Sequence, residues 1–110
     1  MENEIVSSII NNLEKKLIDV RHNLHIHPEL SNEEFETTKT LRKLLNDAQI
    51  RVLNLPLKTG LVAEITGDRV GPIIAIRGDI DALPIIEETD LVYKSQVIGK
   101  MHACGHDFHA

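Results

Sequence analysis

Ile73-Ile74-Ala75-Ile76-Arg77-Gly78-Asp79-Ile80-Asp81 joins a continuous apolar run directly to two carboxylates. Four apolar residues in succession predict a strand buried on both faces, as in an α/β sheet. Asp79 and Asp81 are two apart, so an extended backbone turns both to one side. They follow the strand at its carboxyl end, where open α/β sheets place their ligands. Two carboxylates side by side repel unless a cation or a shared proton compensates. The plainer alternative is a solvated turn in which Arg77 pairs with one of them.

Upstream of this run the period is helical. Ile5, Ile9, Leu13, Leu17, Val20 and Leu24 recur at steps of three and four, which sets them on one stripe. Pro28 ends that helix, because the residue before a proline is pushed out of the helical region. Ser31 and Glu34 form a capping-box pattern, with Leu30 and Phe35 at the staple positions. The apolar residues Leu41, Leu44, Leu45 and Ala48 then extend a second helix from about residue 32 to about residue 47. Arg51 to Leu55 and Leu61 to Ile65 read as short strands around the turn signal Thr59-Gly60. Residues 85–100 carry no period and predict an ordered loop. Two helices followed by strands of a mixed sheet make the fold class α/β.

Composition narrows the function. Lys plus Arg number 12 against 17 Asp plus Glu, a net charge of −5, and the charges are interspersed. Clustered cations that would grip phosphates or an anionic membrane are missing, so neither nucleic acid nor membrane is expected as a partner. The start Met1-Glu2-Asn3-Glu4 is acidic, unlike a signal peptide. Cys104 is the single cysteine of the 110 residues, which excludes an internal disulfide and makes a reducing cytoplasm the expected compartment.

The segment Met101-His102-Ala103-Cys104-Gly105-His106-Asp107 carries the sharpest chemistry. Thiolate and imidazole are preferred ligands for zinc-like cations. Alternation can aim Cys104 and His106 at one point, and Gly105 between them allows unusual backbone angles. Asp107 and His109 lie close enough in sequence to orient a ligand through its second ring nitrogen. The competing reading is a chance His cluster at a helix start. A zinc finger is not expected, since no second cysteine completes such a pattern. His22, His25 and His27 form another cluster, read as structural histidines near a helix end.

Four segments together resemble the amidohydrolase branch of the aminoacylase/carboxypeptidase-like metallopeptidases, which includes hippurate hydrolases, N-acetyl-diaminopimelate deacetylases and indole-acetyl-amino-acid hydrolases. They are Arg21 to Ser31, Lys58 to Ala63, Arg77 to Pro84 and Gly99 to Ala110, in family order. The resemblance implies hydrolysis of an amide bond in N-acyl amino acids or similar small molecules, with one or two divalent metal ions, zinc or manganese. It carries Cys104 and His106 over as metal ligands and Asp81 as a catalytic-site residue supporting the metal centre, and it leaves the role of Asp79 open. It implies a zinc-peptidase-like catalytic domain with a smaller domain inserted later, of which residues 1–110 are the N-terminal portion. Full-length members are several times longer. Their general-base Glu and remaining ligands match no motif in this sequence, so the chain alone is expected to be inactive. A homo-oligomer is left open for the full-length form. The alternative is a non-catalytic truncated fragment with at most weak metal binding.

Overall fold

A computed structural model describes residues 1–110. The elements in chain order are α1 (Glu2–Ile26), α2 (Phe35–Asp47), β1 (Arg51–Val52), β2 (Ala63–Glu64) and α3 (His106–His109). The mixed helix-and-sheet character follows the α/β expectation, with a sheet much smaller than the sequence suggests.

Helix α1 stops where Pro28 dictates: His27 takes φ −118° and Pro28 is fully buried. Only the carboxyl end of the apolar stripe is packed. Leu24 is buried, whereas Ile5, Ile9, Leu13 and Leu17 are exposed. Helix α2 begins at Phe35, and its amino terminus is capped differently from the capping-box expectation. Its amides at Glu36 and Thr37 donate to the two carboxylate oxygens of Glu29, at 3.1 and 2.5 Å. The Glu34 side chain instead accepts from the Asn32 amide at 2.8 Å, and no side-chain cap bond comes from Ser31. A carboxylate holding two orphan amides also faces the positive end of the helix dipole, so Glu29 does the work assigned to Ser31.

Strands β1 and β2 pair antiparallel, Arg51 opposite Glu64 and Val52 opposite Ala63. The Leu53 amide donates to the Val62 carbonyl at 2.8 Å and prolongs the pairing by one step. The longer strands expected over 51–55 and 61–65 thus contract to two residues each. Residues 73–76 form no strand, which corrects the reading of a run buried on both faces. Ile73, Ile74 and Ile76 are 99, 80 and 97% exposed. An apolar run becomes a central strand only where neighbouring strands and covering layers exist, and these 110 residues supply none at that place.

Single bridges join the remaining pieces. Leu30 pairs parallel with Ala82, and Leu83 antiparallel with Met101. Ala82 is buried between them, and its amide donates to the Glu29 carbonyl at 2.8 Å. The carboxyl end of the Asp79–Asp81 segment is thereby tied both to the loop after α1 and to the segment before α3. Residues 85–100 are irregular, as expected, and no helix is long and apolar enough to cross a membrane.

Candidate metal centre

Gly105 sets the local geometry. It takes φ +81°, a left-handed conformation that a side chain would strain, and from it α3 turns for four residues. That turn presents the His106 ring to Asp81. Nδ1 of His106 donates to the Asp81 carbonyl at 3.0 Å and to its Oδ1 at 2.9 Å. A carbonyl oxygen can only accept, so Nδ1 carries the proton. In a neutral ring the lone pair is then on Nε2, on the opposite edge. Asp79 lies on that edge, its Oδ2 4.0 Å from Nε2, while its Oδ1 accepts from Arg77 at 2.8 Å. The two carboxylates predicted to share a side therefore flank one imidazole, and the Arg77 pair of the plainer alternative forms as well.

These charges perturb the ring. Burial works against the imidazolium of His106, but the Asp81 carbonyl, the Asp81 carboxylate and Asp79 outweigh it and hold the pKa above the ordinary 6.5. His102 moves the other way. Burial is the largest cause; the charges of His25 and His106 add to it, those of Asp107 and Asp81 oppose it, and the pKa falls. Both ring nitrogens of His102 are buried without a hydrogen-bond partner. Cys104 is an exposed free thiol.

Thiolate sulfur, imidazole nitrogen and carboxylate oxygen suit a borderline divalent cation, and an imidazole fixed through Nδ1 by a carboxylate is a common support for a metal ligand. The fit is partial. No three His, Cys, Asp or Glu side chains converge closely enough to hold an ion. A cavity of about 390 Å³ lies elsewhere, beside α1 and α2, lined by Asn23, His27, Glu29 and Thr37 among others. None of Asp81, Cys104 and His106 lines it.

Asp107 does not orient His106, contrary to one sequence expectation. Its Oδ2 accepts from Arg21 Nε at 3.1 Å and from His25 Nδ1 at 2.8 Å. The far edge of His25, Nε2, donates to both oxygens of Glu87 at 3.0 and 3.1 Å. Side chains of His25, Asp107 and Glu87 are 3, 1 and 2% exposed. His25 is therefore a buried bridge rather than a helix-end histidine responding to the dipole. His22 stacks on Tyr93 at 3.8 Å, and Arg21 donates to the Tyr93 hydroxyl at 3.3 Å. His27 is exposed, its Nδ1 donating to the Asn23 carbonyl at 3.0 Å. His109 is exposed and meets Phe108 edge-on at 5.5 Å. Of this cluster the sequence singles out Asp107 as an orienting residue and His25 as a structural histidine, while Arg21 enters only as the first residue of a resembling segment. Glu87 carried no signal, since it sits in a loop without period.

Known proteins share both sequence and fold with this chain. Residues 75–110 match the model of peptidase family M20/M25/M40. The chain is 60% identical over 95 residues to the N-acetylcysteine deacetylase of Bacillus subtilis, covering 86% of this chain and 25% of that protein. It is 40% identical over 107 residues to thermostable carboxypeptidase 1 of Saccharolobus solfataricus, covering 96% and 27%. Among solved structures, a dinuclear metal binding peptidase of family M20 from Bacillus subtilis superposes with a TM-score of 0.87 at 57% identity, covering 90% of this chain and 28% of that one. A candidate aminohydrolase from methicillin resistant Staphylococcus aureus gives a TM-score of 0.89 at 39% identity, covering 99% and 29%. Motifs, fold and relatives point one way: the chain resembles peptidase family M20/M25/M40 over most of its length, and it spans about a quarter of the length of the curated relatives it matches.

Proposed function

We propose that the chain forms part of the catalytic domain of a longer metal-dependent amidohydrolase, with Cys104 and His106 as metal ligands and Asp81 as the residue that supports them. The observation that carries this reading is the double acceptance by Asp81 of the His106 Nδ1 proton. It selects one tautomer, aims Nε2 outward and makes that nitrogen more basic. Cys104, exposed beside this ring in sequence, offers a thiol that becomes a thiolate on coordination. Asp79 contributes negative charge on the Nε2 side, tempered by Arg77.

A bound divalent ion would polarise an amide carbonyl and lower the pKa of a water. The residues of this chain hold, orient and tune; the remaining ligands and the general base belong to the rest of the catalytic domain in this proposal. The substrate is a small N-acyl amino acid, in line with the deacetylase and peptidase names of the relatives. One or two ions, zinc or manganese, suit the donor set. A single, exposed thiol suits a reducing cytoplasm.

Asp81→Asn in the product of the whole coding region tests the support role. It should lower metal affinity and turnover of N-acetyl amino acids by about 10–100-fold, with the melting temperature nearly unchanged. A large loss of stability at normal specific activity would assign Asp81 to the fold instead. A second reading draws on the lack of three converging donors: by itself the 110-residue chain is non-catalytic and binds metal weakly.

A further inference from the structure

Helix α3 has four residues and cannot hold itself, because one turn of helix does not recover the cost of its own nucleation. What fixes it must come from outside. Besides the contact of His106 with Asp81, the tie is the carboxylate of Asp107, which meets Arg21 and His25 on α1. Its partners are 86 and 82 residues away in sequence. His25 in turn faces a second carboxylate, Glu87, on the opposite ring edge. Both neighbours of the ring are carboxylates, which accept, so both ring nitrogens donate, and the ring is a rigid spacer between the two. Glu87 is itself anchored by the Ser95 amide at 2.8 Å and by the Thr89 hydroxyl. The Tyr93 ring meets the His25 ring edge-on at 5.5 Å.

We propose that His25 is a positioning residue for the metal centre: by bridging Glu87 and Asp107 it locks α3 onto α1 and so fixes where the adjacent His106 and the Cys104 turn stand relative to Asp81. The inference rests on the reading of Cys104 and His106 as ligands. A glutamine at position 25 has one donor group and one acceptor group, and cannot donate to both carboxylates. The repelled carboxylate would swing away, and α3 would lose its fixed setting. A buried ion cluster that served stability alone would leave the coordination unchanged in molecules that remain folded.

The test is cobalt(II) titration of the product of the whole coding region, following the thiolate-to-cobalt absorption band and the melting temperature together. The unsubstituted protein should show a band that disappears in Cys104→Ala. His25→Gln should bind cobalt about tenfold more weakly, the lower end of what loss of an outer support costs, with a displaced or weakened band. Glu87→Gln, which keeps the volume and one acceptor oxygen, should show the same change to a smaller extent, and it serves where His25→Gln fails to fold. Folded variants with unchanged cobalt affinity and an unchanged band, whatever their melting temperatures, would overturn the positioning role while leaving the ligand reading intact. An unsubstituted protein with no Cys104-dependent band would overturn both.

Discussion

Glu29 and Ser31 compete, at the level of single residues, for one task. The sequence pattern names Ser31 as the cap of α2, but the two amides at the helix start are held by Glu29. Glu29→Ala should therefore cost about 0.5–2 kcal/mol of stability, the range for a lost cap, while Ser31→Ala should be nearly neutral in thermal unfolding. Glu87 gives a pH prediction. Burial pushes its pKa up, but bonds from Thr89, Ser95 and His25 win, and the folded value lies below the ordinary 4.5. The stabilisation is then fully present above 4.5 and is lost as the pH falls through the folded value. Glu87→Gln should be less stable than the parent at neutral pH, and the gap should close as the pH falls from the ordinary carboxylate value through the lower folded one in acid-melting series. A gap that stays constant down to acid pH would mean that the Glu87 carboxylate contributes no charge-dependent stability.

Between elements, what was legible in the sequence was what depends on near neighbours. The end of α1 follows from Pro28, the left-handed turn before α3 from Gly105, and the approach of Asp81 to the Cys104-His106 turn from two recognisable motifs. Pairings across the chain were not legible. Nothing local in Glu87 points to His25, which is 62 residues away, and the Asp107 bridge depends on α1 lying over α3. Gly78 belongs to the same level. A Cβ there would stand 3.2 Å from the His109 carbonyl oxygen, tighter than ordinary contact, so a side chain at position 78 would require the exposed end of α3 to give by a few tenths of an ångström. Gly78→Ala should displace the end of α3 slightly and change stability by no more than about 0.5 kcal/mol, measured by chemical denaturation.

Across the whole molecule, only nine of the 110 residues are buried, too few for a core that supports the chain. The run Ile73–Ile76 is exposed and forms no strand here; in the proposed longer protein, further strands would pair with it and cover it. Ile73, Ile74, Ile76 and the exposed stripe of α1 form apolar surface far beyond scattered single side chains. The isolated 110-residue chain should therefore bind a hydrophobic dye strongly and self-associate in analytical ultracentrifugation, and the product of the whole coding region should do neither. The isolated chain should also show no significant hydrolysis of N-acetyl or N-benzoyl amino acids with added zinc or manganese, because a catalytic site needs about three protein ligands and a base. Monomeric behaviour, or rates within about tenfold of the longer protein, would contradict the account of the missing parts.

Cys104 and His106 as ligands are the centre of the account. The most direct measurement is metal content, by elemental analysis, of the product of the whole coding region beside its Cys104→Ala and His106→Ala variants, with turnover measured on the same samples. Each substitution should lower bound metal and turnover together while the protein remains folded. Variants that keep full metal stoichiometry and full turnover would show that the Met101–Asp107 segment holds no ion.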